Sequence, residues 1–161
     1  MLSFTKKLLE KYESKQTIRE KIETSDTEAQ RRSYIQAASA LPCFMPDELK
    51  PLDPRLEHPR PRTLLFDDIV PAAGERAEMM FTLKLDVRRE ALKELFALKS
   101  MRKALSANPG RPLTPLQKMW EDYIFTGFTP VPESLGYQQL TYLCQIASWL
   151  DGLAEKIPAQ T

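Results

Sequence analysis

Six prolines stand between positions 42 and 61, in LPCFMPDELKPLDPRLEHPRP, and they divide the chain into unlike parts. Proline fixes φ and removes a backbone donor, so neither a helix nor a central strand runs through such a segment. Its apolar residues, Phe44, Met45, Leu49, Leu52 and Leu56, are too many for a free linker. The run therefore reads as an extended strap laid across a body. The organisation expected is an N-terminal helical arm over 1–41, the strap over 42–62 and a helical body over 63–161.

The arm carries apolar residues at Phe4, Leu8, Tyr12, Ile18 and Ile22, at helical spacing, with Lys, Arg and Glu on its other faces. A stripe this narrow buries little against its own chain, so these five residues are the candidate partner-binding set. Ser25-Asp26-Thr27-Glu28 reads as a capping box opening a second helix that stops before Pro42. Its small apolar face is Ala29, Ile35, Ala38 and Leu41.

In the body, the spacing predicts a helix from Val87 to about Ala107, ended by Asn108-Pro109-Gly110. Thr114-Pro115 opens the next helix and Gly127 closes it. The last helix, about 133–157, is the most apolar and is expected at the centre of the core. Residues 78–87 fit both periods; the reading taken is helix, with a two-stranded patch of 63–66 and 79–85 as its alternative. The fold class is mainly α, a small helical bundle with strap and arm.

Charge is unevenly spread. Residues 84–111 hold eight Lys/Arg against three acids, and 112–161 two against five. The basic helix face makes Arg88, Arg89, Arg102 and Lys103 the candidate nucleic-acid-binding residues, with single-stranded DNA as their ligand. A solvated helix face explains the same pattern.

The residues that enzymes need are sparse. His58 is the single histidine and sits in the strap, Cys43 and Cys144 are far apart, and the five glycines form neither GxGxxG nor a P-loop. Adjacent carboxylates such as Asp67-Asp68 do not converge as a metal or acid–base pair does. The expectation is a non-enzymatic protein without cofactor or metal. No apolar run reaches membrane-spanning length, and the N-terminus lacks a secretory core, which points to the cytoplasm.

The arm leading into RRSYIQAASALPCFMPDELKPLDP, with the close on LGYQQLTYLCQIASWLDGLAEKI, resembles the replication gene B proteins of P2-like temperate phages in size and layout, over most of the chain. The resemblance implies a helicase loader that binds the replicative helicase and helps place it on DNA; it implies no catalytic residue. Other readings of the same architecture are a helical nucleic-acid-binding protein and a small inhibitor or immunity-type protein acting on a host enzyme.

Overall fold

The computed structural model describes residues 26–72, 80–127, 136–151 and 153, with Lys6, Lys7 and Glu10, and residues 26–39 are helical (α1). The sequence groups this helix with the arm, but it packs into the body: Tyr34, Ala37, Ala38, Ala40 and Leu41 are buried, whereas Ala29 is exposed. The alanines explain this, because a face without long side chains lets neighbouring elements approach the helix axis closely.

Pro42 ends α1 and leaves its last carbonyls without intrahelical donors. Tertiary donors replace them. Trp120 Nε1 donates to Ala40 O at 2.9 Å, and Arg88 donates to Ser39 O at 3.0 Å and to Pro42 O at 3.3 Å. Thr82 Oγ1 donates to Pro42 O at 2.8 Å.

The strap does lie on the body, with Phe44, Leu49 and Leu52 buried. Its structure is two single 3-10 turns, Pro46–Glu48 and Pro54–Leu56, each begun by a proline. Body side chains take the place of a sheet partner. Ser33 accepts from Leu52 N through its carbonyl and from Asp53 N through its hydroxyl. Tyr34 Oη accepts from His58 N at 2.8 Å and donates to His58 O at 3.2 Å. Asn108 accepts from Lys50 N and donates to Lys50 O, at 2.8 and 3.0 Å.

After a helical turn at Pro61–Leu64 (α2), strands Ile69–Pro71 (β1) and Phe81–Leu83 (β2) pair antiparallel, Ile69 against Leu83 and Pro71 against Phe81. Phe44 of the strap bridges to Phe81 on the free side of β2. Residues 81–83 are thus strand where helix was expected, and their partner is 69–71, because 61–64 is spent on α2. The alternation of Phe81 and Leu83 with Thr82 serves two packed faces, and Thr82 turns its hydroxyl to Arg88.

Helix Leu85–Ala97 (α3) buries Ala91, Leu92, Leu95 and Phe96. The single helix expected to Ala107 is instead two, α3 and Met101–Ala107 (α4). Between them Lys99 adopts φ 52°, with Ser100 N donating to Leu95 O and Lys99 N to Phe96 O. This is the Schellman closure of a helix, built here on a lysine. Helix Pro115–Thr126 (α5) has the predicted bounds: Thr114 Oγ1 accepts from Gln117 N at 3.1 Å, and Gly127 ends it at φ 66°. The last helix is described over Tyr137–Trp149 (α6). It is less central than expected: Tyr137 is 88% exposed, and burial begins at Ile146 and continues through Trp149, Leu150 and Leu153. Trp120 and Trp149 meet edge to face, centroids 5.3 Å apart, at the core's centre. The molecule is mainly α, and no helix among the described residues is long and apolar enough to cross a membrane.

Candidate functional site

Helices α1 and α3 and the second half of the strap leave an open groove of about 1430 Å³ between them. Its floor is apolar: Ile35 from α1, Leu52 and Leu56 from the strap, Val87 and Ala91 from α3. The groove exists because α1 turns its Ala-rich side to the core and leaves residues 28–36 along one wall. The prolines meanwhile prevent the strap from coiling into a helix that would close it.

The walls are charged. On α3, Asp86, Glu90 and Glu94 recur every fourth residue and form one acidic row. Across the groove, Arg32 grips Glu94 through Nη2 at 2.7 Å and Nε at 3.3 Å, and Gln36 Nε2 donates to the same carboxylate at 3.0 Å. The hydrogen bonds from Arg32 hold the Glu94 carboxyl below its ordinary range against some burial. Arg31 makes a two-pronged pair with the buried Asp68, at 2.6 and 2.8 Å, and bonds Glu28 at 2.8 Å. Among the described residues, Glu90 pairs with Lys93 alone, at 3.7 Å, and Asp86 makes no ion pair. Five acids (Glu28, Asp53, Asp86, Glu90, Glu94) line the groove against three bases (Arg31, Arg32, Lys103), so it carries two negative charges in excess. Each wall, Glu28 to Gln36 and Asp86 to Glu94, runs nine residues, eight rises or roughly 12 Å along the helix.

The candidate residues read from the sequence fare differently. Phe4, Leu8, Tyr12, Ile18 and Ile22 lie outside the described residues. Arg88 is corrected: it is 1% exposed, its guanidinium bonded to Ser39 O, Pro42 O and Thr82 Oγ1 and stacked 4.6 Å over the Trp149 ring. It cannot touch a phosphate without opening the core. Burial pushes it down to about 9, with the Cys43 side chain opposing, so it stays charged at neutral pH. Arg89 is half-buried and occupied by Ser148 O at 2.8 Å and Asp151 at 3.7 Å. Arg102 and Lys103 are exposed, Arg102 above the Phe125 ring at 4.5 Å and Lys103 at one end of the groove.

The buried or half-buried carboxylates outside the groove are taken up by cations and amides. Asp68 is held by Arg31, and Glu121 by Arg111 at 2.7 Å and by Gln117 at 2.9 Å. No group of three or more His, Cys, Asp or Glu is arranged for a metal among the described residues. His58 is half-buried in the strap, where its Nδ1 accepts from Arg60 N at 2.9 Å.

The groove itself was not legible in the sequence. Its two walls are about 60 residues apart in the chain; the acidic row at 86, 90 and 94 was the one signal, and it was overshadowed by the bases interleaved with it. Comparison with family models, with curated proteins and with solved structures finds no match for this chain.

Proposed function

We propose that the protein is a non-enzymatic interaction factor whose groove receives an amphipathic helix, and that it serves as a replication accessory protein of the phage type it resembles, binding a replicative helicase and helping to load it on DNA. The groove carries the first half of this reading. An apolar floor between charged walls is the form in which one protein accepts another's amphipathic helix, which here would displace Arg32 and Gln36 from Glu94 at one end of the groove. The carboxylates and arginines around the core are already spent on ion pairs that hold elements together, which fits a gripping scaffold more than a reactive centre. The helicase as partner comes from the sequence resemblance.

A pull-down from a bacterial lysate tests it, with the full chain, an arm variant (Leu8→Asp with Tyr12→Ala) and a groove variant (Leu56→Asp) as baits. Leu56 is only half-buried at the strap surface, so the groove variant keeps the core. The expected result is retention of the replicative helicase by the full chain and its loss from both variants at nearly unchanged melting temperature. Retention by all three baits, or by none, refutes the proposal.

A further inference from the structure

The acidic row of the groove has a counterpart in the same chain. Beside the apolar residues Phe4, Leu8 and Tyr12, the arm carries Lys7, Lys11 and Lys15, also every fourth residue. Phe4 to Tyr12 spans nine residues, as many as each groove wall. The arm over 3–23 holds six bases (Lys6, Lys7, Lys11, Lys15, Arg19, Lys21) against four acids (Glu10, Glu13, Glu20, Glu23), two positive charges in excess, where the groove has two negative. The described arm residues Lys6, Lys7 and Glu10 are helical and exposed, so Lys7 is open to a partner.

We infer that the groove takes the arm of a second copy of this chain, Phe4, Leu8 and Tyr12 on its floor and Lys7 and Lys11 against Asp86 and Glu90. Fold-back of the arm onto its own groove would satisfy the same charges but keep the single-copy mass, so the mass of the full-length protein distinguishes the two. Exchange between two copies is reciprocal and closes as a two-fold dimer. Phe4 and Tyr12 bring roughly 300–500 Å² per arm. Two arms thus bring about 600–1,000 Å² of aromatic surface to the two grooves, where a standard interface buries about 1,200–2,000 Å² in all. The inference rests on the groove being a helix receptor. It adds that arm and groove are sheathed together until the functional partner displaces them.

Charge reversal tests it on the full-length protein, by sedimentation equilibrium. The unaltered chain is expected at twice its 18.5 kDa. Lys7→Glu/Lys11→Glu sets acid against acid, and Asp86→Lys/Glu90→Lys sets base against base, so each alone falls to the single-copy mass. Their equimolar mixture matches in both directions and recovers the doubled mass. All four positions are exposed or in the arm, and unchanged melting curves verify the folds. If a reversal unfolds the chain, Leu8→Asp with Tyr12→Ala replaces it and must give the single-copy mass. An unaltered chain of single-copy mass at every concentration, or a mixture that stays single, overturns the exchange. Helicase capture by a single-copy protein would leave the proposed function standing without the exchange. A recovering mixture that captures no helicase would leave the exchange standing without the function.

Discussion

Arg88 shows how one residue type serves opposite ends. A guanidinium presents five donors in a rigid fork, and here that fork gathers the backbone oxygens released where α1 stops. The C-terminal end of a helix carries partial negative charge, so a cation there is stabilised without a carboxylate beside it. The Trp149 ring covers the remaining face. Replacing Arg88 by Met fills the volume but leaves Ser39 O and Pro42 O with fewer donors, at about 1–3 kcal/mol for each group left unpaired. Urea denaturation of Arg88→Met is therefore expected to show a loss of about 2–4 kcal/mol. A loss under about 0.5 kcal/mol, the size of an ordinary surface change, would show that the cap contributes nothing. Nothing in the sequence separated this arginine from its neighbour Arg89. Both sit among bases on one helix, and the difference lies in Pro42, 46 residues earlier.

At the scale of elements, the junction of α3 and α4 turns on Lys99. A left-handed conformation costs a residue with a Cβ roughly 1–2 kcal/mol, and glycine escapes that cost. Glycine is also freer when unfolded, which returns about 0.4–1 kcal/mol of the gain. Lys99→Gly is thus expected to raise stability by up to about 1 kcal/mol, and Lys99→Val to lower it by about 1–2 kcal/mol, in urea midpoints compared at constant slope. A stabilised valine variant would mean that the turn is not held in this conformation. The same residue explains why one long helix was read here. The Leu95, Leu98, Leu105 spacing continues through the break, and the usual glycine signal is missing. Thr114-Pro115 and Gly127 bound α5 correctly because each acts through local chemistry, a side-chain cap, a fixed φ and a missing Cβ. Strand β2 was ambiguous because three residues are too few to distinguish a period of two from one of 3.6. Its partners, β1 and Phe44, are fixed by tertiary contact.

Over the whole molecule, ion pairs join parts that are distant in the chain: Arg32 with Glu94 ties α1 to α3, and Arg111 with Glu121 ties the loop after α4 to α5. Burial raises the Glu121 carboxyl, but the hydrogen bonds from Arg111 and Gln117 outweigh it, and its net displacement, like that of Glu94, is downward. A depressed carboxyl contributes stability above its unfolded value near 4.5, and that stability is lost as pH falls through the folded value. Stability is therefore expected to fall below about pH 4.5, and Glu121→Gln to flatten the fall while lowering stability at pH 7, in urea titrations from pH 3 to 7. An unchanged acid slope in the variant would remove Glu121 from the account.

The cap on α1 also sets an order of events during synthesis. Ala40 O waits for Trp120, 80 residues later, and the strap's Lys50 waits for Asn108, 58 residues later. At about 5–20 residues per second, the ribosome takes roughly 4–16 s to supply the tryptophan after the helix end has been made. Until Thr82 and Arg88 emerge the helix terminus has no tertiary donor, and until Asn108 and Trp120 follow the strap stays unfastened at Lys50 and the cap incomplete at Ala40. The seal on the N-terminal half is thus delivered by the C-terminal half, and the chain matures only after most of it has been translated.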